Sequence, residues 1–148
     1  MSVKPPERPP KSDTYLNVLG LMGLLRVSMF EAFGDRRFWD EQYYDLFTGM
    51  LVKQLRGSVS TMEEMTGSMT GISHSTKIRM IEEARASDII VAVNRSEIEL
   101  DQPLETTSAR KVFFLSQESL DRMTDALNSV IADIRDFAEQ NRQAAPVS

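Results

Sequence analysis

Ser73, His74, Ser75, Thr76, Lys77 and Arg79 crowd into the stretch GISHSTKIRMIEEARASDII, residues 71–90. Their spacing puts hydroxyls, an imidazole and two cations on the first turns of a predicted helix. There the backbone N–H groups are free and the helix dipole is positive. Such a helix end suits a phosphate, and an arginine one turn further on can reach a phosphate or the edge of a guanine. The chain as a whole is acidic, with 17 Lys and Arg against 22 Asp and Glu and a net charge of −5. It is not built to coat a polyanion over its whole surface. The plainer alternative is that Ser73 or Ser75 only caps the helix and that Lys77 and Arg79 form a solvated face.

Other residues invite chemistry less strongly. Arg95, Arg110 and Lys111 add cations in the next segment. Phe38, Trp39, Tyr43, Tyr44 and Phe47 form an aromatic group, expected mostly in the core, in which Tyr43, Tyr44 and Phe47 could wall a site for a small aromatic or amphipathic ligand. With no cysteine and one histidine, no nucleophile–base pair is evident. The adjacent pairs Glu63-Glu64 and Glu82-Glu83 cannot both face one site from a helix. Neither a glycine-rich phosphate loop nor metal-ligand spacing occurs. An enzyme, a cofactor and a metal centre are therefore not expected. The nine methionines read as pliable core filler.

The elements that must position these residues follow from periodicity. A chain of 148 residues with 41% apolar and 26% charged residues supports one soluble domain. Residues 1–12 hold four prolines and read as a disordered arm, because proline neither donates a backbone hydrogen bond nor tolerates a helix interior. From 13 to 33 apolar residues recur at three- and four-residue steps, with Ser12 or Asp13 as a cap. A membrane span needs about 20 apolar residues, and Asn17 and Arg26 interrupt this run. A signal peptide would need a small-residue cleavage site, which RVSMFEAF supplies poorly. A buried helix is the better reading, in a cytoplasmic protein, and one greasy on most of its circumference calls for a partner chain.

Gly34 breaks that helix. A second one is expected from about Phe38 to Leu55, ended by Gly57, with Leu55 on its inner face. A short helix capped by Ser60 or Thr61 comes next, with Met62, Met65 and Met69 inside. The helix from 73 to 86 follows. After Ser87 the pattern turns to β-branched and aromatic residues, in DIIVAVNRSEIEL and ARKVFFLS, joined by the turn-like DQPLETTS. From Ser116 helical spacing returns for about 26 residues, or ~39 Å, ending near 140 before a flexible tail at 141–148. A first helix, a unit of three helices, a hairpin and a long helix predict a mainly α fold with a small β-hairpin: a winged helix-turn-helix whose hairpin is the wing.

Gly71-Ile72-Ser73, Ser75-Thr76, Arg79 and the strand Ile89-Ile90-Val91 resemble the recognition-helix region of the MarR family of winged-helix regulators. Arg110-Lys111-Val112-Phe113-Phe114-Leu115-Ser116 is similar to that family's basic residue leading into a strand and helix. The resemblance extends loosely over residues 13–140. It implies a homodimer whose terminal helices, 13–33 and 116–140, intertwine, while 36–115 form a DNA-binding unit. It further implies sequence-specific repression at a palindromic operator, with Ser73, His74, Ser75, Thr76, Lys77, Arg79, Arg95, Arg110 and Lys111 facing double-stranded DNA. Release by a small ligand would fit the same scheme.

Regional charge sharpens the alternatives. Residues 71–86 hold Lys77, Arg79 and Arg85 against Glu82 and Glu83, whereas 87–111 hold more acids than bases. Counterion release favours the first region and opposes the second, provided that Glu82 and Glu83 lie beyond the contact. The family has an aspartate shortly before the wing arginine, where this chain has Thr107-Ser108-Ala109. An acidic wing without that aspartate suits the rival reading, a winged-helix dimer that binds protein partners and not DNA.

Overall fold

A computed structural model describes residues 5–99 and 110–144. Five helices and one hairpin build the domain: α1 (Ser12–Phe33), α2 (Glu41–Leu55), α3 (Met62–Ser68), α4 (His74–Ala86), β1 (Ile90–Asn94), β2 (Lys111–Leu115) and α5 (Gln117–Ala144). Short 3-10 turns cover Arg36–Phe38 and Arg95–Glu97. The architecture is that of a winged helix, mainly α with one small antiparallel sheet.

Local chemistry sets most boundaries. Asp40, in extended backbone, accepts from Gln42 N–H and starts α2. The expected start at Phe38 is thus corrected: Phe38 belongs to the preceding turn, which Asp35 caps through Arg37 N–H. Thr61 and Glu64 form a capping box on α3, each side chain bonded to the other's backbone N–H at 3.2 and 3.0 Å. Two orphan donors are satisfied reciprocally, which lets a seven-residue helix stand. Ser73 caps α4 and Ser116 caps α5. Helix α1 departs from expectation, since Ser12 lies inside it and its N-cap is Lys11 with φ 66° and no side-chain cap. The five residues of β1 stop at Asn94, well short of the run to Leu100 that the β-rich pattern suggested. Helix α5 continues to Ala144, beyond the expected end near 140. Residues 5–11 hold neither helix nor strand, and the expected wing loop DQPLETTS, 101–108, lies outside the described residues.

The core sits where α2, α3 and α4 meet the hairpin and the facing ends of α1 and α5. Leu46, Phe47, Met50, Met65, Met69, Ile81, Leu115 and Met123 are its most enclosed side chains. Leu55, expected inside, is 63% exposed. Of the aromatic group, Phe38, Tyr43 and Phe47 are buried, Tyr44 is half-buried and Trp39 is exposed. The strands pair in the register Ile90↔Leu115 to Asn94↔Lys111. The outer edge of β2 is closed by Ser60, which exchanges backbone hydrogen bonds with Phe113 at 2.9 and 2.8 Å.

Helix α1 packs along α5, yet of its 22 residues only Met29 and Phe33 are buried. Tyr15, Leu16, Val18, Leu19, Met22 and Val27 remain half exposed or more, as do Ile131 and Ile134 of α5 to a slightly lesser degree. By length and composition α1 could also cross a membrane, but Met29 and Phe33 key its C-terminal end into the domain core.

Candidate nucleic-acid interface

The first turn of α4 stands free of the core. Ser73 Oγ accepts from Thr76 N–H at 3.3 Å and lies 3.2 Å from Ser75 Oγ and 2.9 Å from Thr76 Oγ1. Lys77 N–H returns to Ser73 O. The N–H groups of His74 and Ser75 take no partner among the described residues, so the helix end offers free donors beside a cluster of hydroxyls. Ser73, His74, Ser75 and Arg79 are exposed, and Thr76 and Lys77 are half-buried. Cap and contact surface are compatible here, because the exposed Ser75 hydroxyl and the N–H groups of His74 and Ser75 lie beside the Ser73 cap.

Seen down its axis, α4 has two distinct sides. Met80, Ile81 and Ala84 are buried, whereas Ser75, Arg79, Glu82 and Ala86 make one exposed stripe at steps of three and four. Glu82 therefore shares the face of Arg79 rather than lying clear of it, against the sequence expectation. Its charge is partly answered by Arg85, whose Nη1 donates to Glu82 Oε1 at 3.0 Å. Glu83 turns inward and accepts the hydroxyl of Tyr43 at 2.7 Å. Burial first, and then this bond to a carboxylate, raises the Tyr43 pKa above the usual tyrosine value.

The hairpin gathers the other three cations. Lys111 pairs with Asn94 at the end of the ladder remote from Ile90↔Leu115, and Arg95 N–H donates to Arg110 O at 2.8 Å. Arg95, Arg110 and Lys111 thus meet at the Asn94↔Lys111 end of the described ladder, two of them exposed and Arg95 half-buried. Glu97 lies beside them, accepting from Asn94 Nδ2. The nine predicted contact residues fall into two groups, one at the head of α4 and one at the Asn94↔Lys111 end of the β1–β2 ladder.

Tyr44 and Phe47 line a void of about 10 Å³ with Phe30, Phe38 and Met123, room for no more than one water. Tyr43 packs between Phe38 and Phe47, at ring distances of 4.9 and 5.5 Å. A larger cleft of about 260 Å³ opens nearby, floored by Phe33, Phe38 and Ile89 and edged by Asp35, Asp88 and Glu118. Arg37 N–H and then its guanidinium hold the Asp35 carboxyl below the usual carboxylate range. Sequence reasoning missed this cleft because its walls come from three distant segments. Among the described residues no cluster of His, Asp or Glu could hold a metal ion.

The fold is shared with Rv1404 from Mycobacterium tuberculosis, which superposes with a TM-score of 0.58 over 93% of this chain and 85% of that one, at 15% sequence identity. A protein from Bacillus cereus described as a MarR-like transcription regulator covers 90% of this chain and 83% of its own at 13% identity. Its TM-score of 0.39 is too low to bear on the fold. No family model and no curated protein matches the chain.

Proposed function

We propose that this protein is a homodimeric DNA-binding transcription regulator of the MarR type, with α4 as the helix that enters the major groove. The observation that carries the reading is the exposed head of α4. Free N–H groups, the Ser73–Ser75–Thr76 hydroxyls and Arg79 project from a helix whose opposite side is buried. Phosphates favour such a helix end, and an arginine on the outer stripe can read a guanine. Arg95, Arg110 and Lys111 would meet the backbone from the wing.

The exposed apolar surface of α1 and α5 supports the dimer. A 22-residue helix with two buried residues cannot offset its ordering entropy alone, and a second copy of the same surface supplies the missing cover. Two reading helices about 34 Å apart would match a palindrome, and occupancy of a promoter would repress it. For a small aromatic or amphipathic effector, the cleft between Phe33, Phe38 and Ile89 offers room that the void beside Tyr44 does not.

The rival, a winged-helix dimer that binds protein partners, is favoured by one observation: Glu82 sits on the stripe of Arg79. Salt separates the two. Duplexes selected from a random pool, titrated by fluorescence anisotropy, should bind with an affinity that falls steeply as salt rises, by about 10³–10⁵ between 50 and 200 mM for 6–10 phosphate contacts. Absence of duplex binding at low salt would leave the rival standing.

A further inference from the structure

Helix α4 is fastened along its length by three side chains that lie close together in the chain. Gln42 Nε2 donates to the carbonyl of Thr70, just before the helix, at 2.7 Å. The Tyr43 hydroxyl donates to Glu83 Oε2 at 2.7 Å, and Arg37 Nη2 donates to Ser87 Oγ at the C-cap at 3.3 Å. The other side of the same segment grips α1. Arg26 pairs with Glu41 at 3.1 Å, and its guanidinium lies over the rings of Phe30 and Tyr44 at 5.6 and 5.7 Å. Phe30 in turn stacks on Trp39. This segment is the joint between the apolar helix α1 and the helix that carries Arg79.

Within the joint, the Tyr43–Glu83 bond is the one anchored in the core. The Tyr43 ring is 3% exposed, whereas Arg37 lies at the surface. A hydrogen bond to a charged acceptor is stronger than a neutral one and more strongly directional. Glu83 and Glu82 are neighbours on a helix of 3.6 residues per turn, so they point about 100° apart. Holding Glu83 inward therefore acts with the buried Met80, Ile81 and Ala84 to fix where Ser75, Arg79 and Glu82 point.

We propose that Tyr43 is a positioning residue for DNA reading: through Glu83 its hydroxyl sets the rotation of α4 about its own axis, and so the place where Arg79 meets a duplex. This rests on the assignment of α4 as the reading helix. Tyr43 itself touches no DNA. Its effect must appear as discrimination between duplexes and not as general affinity, because general affinity comes from cations that Tyr43 leaves unchanged.

The test uses the full chain with Tyr43→Phe, which removes only the hydroxyl, and with Glu83→Ala and Glu83→Gln. Affinities are measured for a duplex selected from a random pool and for an unrelated duplex of equal length, alongside hydrogen exchange of α4 and α5. Tyr43→Phe should lower the ratio of selected to unrelated affinity tenfold or more, with faster exchange across His74–Ala86 and unchanged exchange in α5. Glu83→Ala should lower the ratio similarly, the double variant no further, and Glu83→Gln should retain most of it because the amide oxygen still accepts. A ratio that Tyr43→Phe leaves unchanged, or two duplexes weakened alike, would overturn the inference. Wild-type protein that binds neither duplex at low salt would remove the reading assignment. In that case exchange in α4 still decides the contact: faster in Tyr43→Phe upholds it as the clamp on α4, and unchanged overturns it.

Discussion

The side-chain amide of Gln54 makes both hydrogen bonds that a neighbouring strand would make to Leu115: Leu115 N–H donates to Oε1 at 2.6 Å and Nε2 donates to the Leu115 carbonyl at 3.3 Å. Two residues earlier Ser60 does the same for Phe113 through its backbone. Alternate residues of β2 thus have their outward-facing groups satisfied by α2 and by the residue ahead of α3. The wing is a two-stranded ribbon, marginal alone, made secure by the helices beneath it. Gln54→Ala would orphan both groups of a residue that is 1% exposed, at a cost of about 1–3 kcal/mol. Chemical denaturation should show a lower midpoint with an unchanged slope. An unchanged midpoint would mean that the amide contributes nothing to the wing.

Arg79→Ala should weaken binding to a selected duplex by about 1–3 kcal/mol if the guanidinium reads a base, without changing the thermal midpoint, because the side chain is exposed. Glu82→Gln should strengthen binding to every duplex, since it removes an anion from the same stripe. Anisotropy titrations at fixed salt check both. Identical affinities for wild type and Arg79→Ala would take Arg79 out of the interface.

Charge placed on the exposed face of α1 should dissociate the proposed dimer. Leu19 and Met22 are 63% and 62% exposed in the single chain, so Leu19→Glu or Met22→Glu leaves the new carboxylate in water within it. In a dimer either substitution would bury a carboxylate without a partner, a cost of several kcal/mol. Sedimentation velocity should show a dimer for the wild type and a monomer for the variants, with loss of binding to a palindromic duplex. A wild-type monomer would leave the apolar face of α1 without its proposed cover.

Acid should unfasten α3. Burial pushes the Glu64 pKa up, but the Lys53 ammonium and the Thr61 N–H outweigh it, and the carboxyl titrates below its ordinary value of 4.5. A group whose folded pKa is depressed contributes stability above its unfolded pKa and loses it as pH falls through the folded one. Glu64→Gln keeps the acceptor for Thr61 and loses the ion pair. It should melt below wild type at neutral pH, and the gap should close in the window under 4.5. Parallel melting curves for the two proteins across that window would show that Glu64 titrates normally.

Much of this domain can be read in the chain because helical spacing and cap chemistry are local. Thr61 with Glu64, Ser73 and Ser116 announce three helix starts, and the shift to β-branched residues after Ser87 announces the hairpin. Boundaries blurred where local signals compete. Asp40 is a usable cap, yet Phe38 and Trp39 continue the apolar spacing and draw the expected start of α2 three residues too early. Arg95–Glu97 lie inside the span DIIVAVNRSEIEL that reads as β-rich, yet none of the three is β-branched or aromatic and they form a 3-10 turn.

What stayed hidden concerns direction. The composition of α4 names its hydroxyls and cations, and the resemblance of residues 71–90 suggests what they contact. Which of Glu82 and Glu83 faces outward depends on where Tyr43 arrives from α2, 40 residues away in the chain. Gln54, as an ordinary residue late in α2, carries no sign that it will serve as a strand. The sequence alone determined which elements form, because backbone hydrogen bonding and periodic burial act over a few residues. Only the tertiary structure decided which side chains share a surface, because packing brings together groups whose separation along the chain says nothing of their distance in space.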